Sequence, residues 1–103
     1  MKLRTIAALS TMAIISLPAM ANKDLATKSG CMTCHQVDKK LVGPAYQDVA
    51  TRYKGQPDAV QKLSAKVKDG GKDAWGPVPM PPNPNLSDTD ITTLVKWILS
   101  GPK

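Results

Sequence analysis

The run Cys31-Met32-Thr33-Cys34-His35 constrains this chain more than any other. Two cysteines two residues apart, with histidine directly after, form the attachment signature of a c-type haem. The spacing has a chemical reason. On one helical turn Cys31 and Cys34 leave the same face, so each sulfur can add across one vinyl group of a single porphyrin. His35 is then held under the iron, where its imidazole supplies one axial ligand. A chain built on this motif has to fold around a large apolar plate fixed to its own backbone.

A bare Cys-x-x-Cys has other uses. A thioredoxin-like pair wants a βαβ pattern near the motif, and none is visible. Tetrahedral zinc wants four ligands. Beyond the leader the chain offers Cys31, Cys34, His35 and no further Cys or His, so carboxylates would have to complete such a site. A small structural disulfide is the third alternative. The haem reading asks for only one more iron ligand.

Residues 1–21 read as a secretory leader. Lys2 and Arg4 make the charged start, an apolar run follows, and Ala19-Met20-Ala21 is a small-x-small cleavage site. The run is too short to span a bilayer comfortably; an uncleaved anchor is the alternative. The expected product is a soluble domain over 22–103, exported to the periplasm. At this size a domain normally needs a staple, and this one has no Phe, two Trp and two Tyr. Its own side chains make a thin core, and a porphyrin would fill it.

The formal charge of the whole chain is +6. Losing Lys2 and Arg4 with the leader leaves it near +4 before any haem propionates are counted. The lysines are scattered, which favours a solvated surface. Nothing supports a nucleic-acid role. A positive rim around a haem edge would steer docking to an acidic partner.

Apolar spacing predicts an all-α fold of about four short helices. Asn22 can cap the first, which Gly30 breaks before the cysteines; helical character resumes to about Val37. Pro44 can open a second helix to Tyr53, with Tyr46, Val49, Ala50 and Tyr53 on one face. A third starts at Pro57, buries Val60, Leu63 and Val67, and ends at Gly70-Gly71. Residues 71–85 hold Pro77, Pro79, Pro81, Pro82 and Pro84, a density that excludes helix or central strand. Ser87 caps the last helix, with Asp90 completing a capping box and Ile91, Leu94, Val95 and Ile98 as its stripe. This helix is expected to cross the first.

The second axial ligand follows by elimination. Without the leader the chain has no other His, and its methionines are Met32 and Met80. Met32 lies inside the attachment loop and cannot reach the opposite face. Met80 lies among prolines that reduce the loop's freedom, so fixing its thioether costs less entropy. Met80 is the expected distal ligand; the alternative is a core methionine over an open or water-bound iron. A thioether is a weak, soft donor that favours ferrous iron, so it raises the reduction potential. Two filled axial sites suit electron shuttling.

These features together resemble the class I c-type cytochromes, and more closely the short bacterial cytochrome c-551/c-552 group. The likeness rests on Gly30 to His35, then Val42-Gly43-Pro44-Ala45-Tyr46, then Trp75-Gly76-Pro77-Val78-Pro79-Met80-Pro81-Pro82-Asn83, and finally Trp97-Ile98-Leu99-Ser100. It covers essentially all of 22–103. It implies a small all-α cytochrome c fold around one haem c, bound by two thioethers from Cys31 and Cys34, with His35 and Met80 on the iron. It implies that the Pro44 carbonyl accepts from the His35 ring, and that the Trp75 indole reaches a haem propionate. Asn83 would hold the Met80 loop. Lys66 stands where relatives often carry an Arg facing a propionate, although lysine cannot make the planar two-point contact. Pro84 and Asn85 lengthen the loop slightly against the usual pattern. Trp97 reads as helix packing, and Leu41 and Val42 as an apolar rim at the haem edge.

The implied function is a monomeric one-electron carrier of a respiratory chain, without catalytic residues. Its donors would resemble the bc1 complex, and its acceptors a terminal reductase, peroxidase or oxidase. Three rivals stand beside it: a haem enzyme with Met80 off the iron, a haem-free thiol–disulfide oxidoreductase, and a haem subunit of a larger complex.

Overall fold

The structure, a computed structural model, describes residues 20–103. Its regular elements are α1 (Met20–Lys28), a 3-10 turn (Cys31–Thr33), α2 (Tyr46–Tyr53), α3 (Ala59–Asp69) and α4 (Asp88–Leu99). Among the described residues there is no strand, only isolated bridges between His35 and Lys40 and between Gly71 and Met80. The expected leader lies outside the described residues, apart from its last two positions, which begin α1. No described helix is long and apolar enough to cross a membrane.

The last helix organises the rest: α1, α2 and α3 each pack against α4. Its sequence accounts for this. Ile91, Leu94, Val95 and Ile98 fall on one face, all four are buried, and Trp97 widens that face toward α2. Ala26 of α1, Tyr46 and Val49 of α2, and Leu63 and Val67 of α3 complete the core. Ala50, Tyr53 and Val60, expected on buried faces, are only partly covered. The helix starts where expected: Ser87 Oγ accepts from the Asp90 N–H at 3.1 Å, so half of the capping box forms.

Four boundaries differ from the sequence reading. The first helix runs back to Met20, so Asn22 lies inside it and is not its cap; Met20 and Ala21 are good helix formers that let it continue. Helical character around the cysteines stops at Thr33 instead of Val37. The second helix starts at Tyr46, because the Pro44 carbonyl is turned away to the His35 ring and Ala45 O accepts from Asp48 and Val49 instead. The third starts at Ala59. Pro57 and Asp58 are the centre of a turn closed from Ala59 N–H to Gln56 O at 3.3 Å, and Asp58 sits at φ −101°, ψ 12°, the third position of a type I turn.

The first amides of α2 bind it to the attachment segment. Tyr46 N–H donates to Gln36 O at 2.9 Å, and Gln47 N–H to Val37 O at 3.0 Å. Donors that a helix start leaves unpaired are thus used to dock the stretch after His35.

Candidate functional site

Cys31, Cys34, His35, Pro44, Tyr46, Lys66, Trp75 and Met80 all line one cleft, floored by Leu63, Val67, Leu94, Val95 and Ile98. The cleft holds about 1260 Å³ of space, its open mouth included. A single metal ion or a substrate water would leave most of it empty. Its walls are mainly apolar side chains from α2, α3, α4 and the proline-rich loop, so it suits a large, flat, apolar group.

The attachment turn is built from its own backbone. Gly30, with φ 81°, stops α1 and turns the chain into the 3-10 segment. Cys34 N–H and His35 N–H both donate to Cys31 O, at 3.2 and 2.9 Å. Both cysteines are free and part-exposed, hence available to an electrophile in the cleft. Burial pushes the Cys31 thiol above its ordinary range, partly offset by the neighbouring Tyr46 hydroxyl. Burial likewise raises the Tyr46 phenol well above its ordinary value, with Cys31 adding to it.

His35 is held on three sides. Its Nδ1 lies 2.7 Å from Pro44 O. A carbonyl only accepts, so Nδ1 carries the proton and the lone pair is on Nε2. The ring stacks on Tyr46, with centroids 4.9 Å apart and planes 19° off parallel; Tyr46 in turn meets Trp97 edge-on at 5.5 Å. On the remaining side Gly43 leaves room for the imidazole: a Cβ there would stand 2.5 Å from Cε1. Gly43 N–H donates to Cys34 O at 2.7 Å, which closes the loop around the ring.

Met80 lines the same cleft from the proline-rich loop. It is part-buried and packs on the core. Asn83 does not line the cleft. Its Nδ2 donates to Val67 O at 2.9 Å and its backbone N–H to Lys68 O at 3.1 Å, which fixes the loop to α3. Trp75 is 39% exposed and lies beneath the Arg52 guanidinium, 4.4 Å from its ring centroid; Arg52 Nη1 also donates to Ala74 O at 2.6 Å. Lys66 extends past Gly71, whose missing Cβ would stand 2.5 Å from its Nζ.

Sequence reasoning missed Arg52, the stacking of Tyr46 on His35 and the steric part of Gly43. The only available signal for the last two was their place in Val42-Gly43-Pro44-Ala45-Tyr46. Arg52 carried none. The zinc alternative receives no support: among the described residues no three His, Cys, Asp or Glu side chains gather as a metal-binding group.

A tethering pair of cysteines, a histidine whose metal-facing nitrogen is fixed by a carbonyl, and a large apolar cleft define a covalent haem domain, and the donor set fits that group. The chain belongs to the cytochrome c family, whose sequence profile matches residues 19–102. It is 49% identical to cytochrome c-552 of Nitrosomonas europaea over 80% of each chain. It is 51% identical to cytochrome c-551 of Pseudomonas aeruginosa over 69% of this chain and 67% of that one. The crystal structure of the Nitrosomonas cytochrome c552 superposes with a TM-score of 0.74 over 76% of this chain and 96% of that one. The class 1 cytochrome MtoD of Sideroxydans lithotrophicus, 35% identical, gives 0.70 over 85% and 100%. The protein is thus a small all-α monohaem class I cytochrome c, similar to the short bacterial c-551 and c-552 carriers, and its cofactor is covalently bound haem c.

Proposed function

We propose that the chain is a periplasmic carrier that takes one electron from a donor such as the bc1 complex and delivers it to a terminal reductase, peroxidase or oxidase. In this reading residues 1–21 are removed on export, 22–103 form the working monomer, and Cys31 and Cys34 make the two thioethers. His35 and Met80 would hold the iron. When bound, the haem supplies one reversible electron through its iron, and the chain supplies everything that keeps that electron controlled.

The observation that carries the reading is the 2.7 Å bond from His35 Nδ1 to Pro44 O. It fixes the tautomer, aims Nε2 and makes the imidazole a better donor. Met80, which lines the same cleft, would occupy the position where oxygen or peroxide would otherwise bind, which favours a carrier over an enzyme. Trp75 and Lys66, both at the cleft, would offer an indole N–H and an ammonium to the propionates, with Arg52 bracing Trp75. The apolar walls lower the local dielectric and disfavour the more charged oxidised state. The exposed Leu41, Val42 and Val78, with Lys40 and Lys72 at the cleft, offer a docking rim for an acidic partner.

Met80→Ala tests the ligand assignment. The variant is expected to keep covalent haem, lose the weak far-red band of iron–methionine bonding and bind added imidazole. An oxidised spectrum identical to that of the wild type would overturn the assignment.

A further inference from the structure

Gly70 closes α3 with φ 71° and ψ −167°, a combination that glycine alone adopts without strain. Its surroundings are as restrictive as its dihedrals. A Cβ at this position would run into the carbonyl oxygen of Met80 and stand 2.8 Å from Pro82 N and 2.9 Å from the Pro81 carbonyl carbon. These are backbone atoms of the loop that carries Met80, so no rotamer change relieves the collision. The neighbouring residue is bound to Met80 in both directions: Met80 N–H donates to Gly71 O at 2.7 Å, and Gly71 N–H to Met80 O at 3.0 Å. Asn83 ties the far end of the same stretch to Lys68 O and Val67 O. The Met80 backbone therefore lies flush on the end of α3, at a depth set by the absence of a side chain at Gly70.

We propose that Gly70 is a positioning residue for Met80: its bare backbone lets the loop sit deep enough against α3 for the thioether to be held firmly in the cleft. The proposal rests on the reading of Met80 as the distal ligand. It assigns Gly70 a role separate from ending a helix. Gly55 and Gly101 also have positive φ, 79° and 70°, yet an added Cβ at either meets nothing within 4 Å. At Gly71 it would meet only the end of the Lys66 side chain, which can move.

These differences make the test. Holo-protein of the wild type, Gly70→Ala, Gly55→Ala and Met80→Ala would be compared by the far-red band of the oxidised form and by affinity for imidazole. Gly70→Ala is expected to weaken or lose the band and to bind imidazole roughly tenfold more tightly, as the fraction of molecules with methionine displaced rises. Gly55→Ala should match the wild type in both readouts, losing only denaturation midpoint. A wild-type band and imidazole affinity in Gly70→Ala would overturn the proposal, as would an equal loss in Gly55→Ala. A wild type that lacks the band and binds imidazole like Met80→Ala would instead overturn the ligand assignment, and the positioning role with it. Should Gly70→Ala yield no holo-protein, hydrogen exchange of the wild type in rising denaturant decides. The Gly71 and Met80 amides should lose protection together with the band, and loss of the band while both stay protected would overturn the role.

Discussion

A methyl group added to Gly43 would stand 2.5 Å from Cε1 and 2.9 Å from Nδ1 of His35. Neither the ring, stacked on Tyr46, nor the short loop has room to yield. Gly43→Ala is expected to cost about 1–3 kcal/mol of holo-protein stability by overpacking and to shift the reduction potential. Denaturant unfolding and a redox titration check both. Ser64 gives the opposite case. Its hydroxyl is buried without a partner among the described residues, so Ser64→Ala should raise stability by about 1 kcal/mol, and a lower denaturation midpoint would contradict this. Single residues were legible in the sequence where their chemistry is local. Spacing singles out Cys31, Cys34 and His35 as candidates and elimination singles out Met80, and the structure brings all four to one cleft. Tyr46 under the imidazole, Gly43 beside it and Arg52 over Trp75 act through contacts between distant segments, which no local pattern records.

At the level of elements, apolar periodicity located α2, α3 and α4, because each has to bury one face in the shared core. The starts were less legible. The second helix begins two residues late because Pro44 gives its carbonyl to His35, a tertiary use that outweighs its fitness to open a helix. Ser87, in contrast, caps α4 as its sequence suggests; Ser87→Ala should cost about 1 kcal/mol, measured by thermal or denaturant unfolding. Lys68 and Asp88 join the end of α3 to the start of α4 at 2.9 Å. The Asp88 hydrogen bond and its charge raise the Lys68 pKa above the ordinary 10.5. A raised lysine pKa stabilises below the unfolded value, and that contribution is lost as the pH climbs through the folded one. Lys68→Met should therefore be slightly less stable than the wild type at neutral pH and low salt. The two should converge above pH 10.5 and in high salt, since the pair is exposed. A difference independent of both would contradict this reading.

For the whole molecule, haem and polypeptide share one core. The helices are short, the aromatic content is low, and the large apolar cleft would stand open without its plate. The positive charge of the chain bears on partners more than on fold: association with an acidic redox partner should slow as ionic strength rises, and Lys72→Glu should slow it most at low salt. The central claim is one covalent haem held between His35 and Met80 for electron transfer. An absorption spectrum of the purified protein, oxidised and reduced, followed by a haem stain of the denatured chain, tests it most directly. Haem that stays on the denatured polypeptide and a weak far-red iron–methionine band in the oxidised form are expected. Covalent haem without that band would contradict the Met80 assignment, and a colourless protein would contradict the account as a whole.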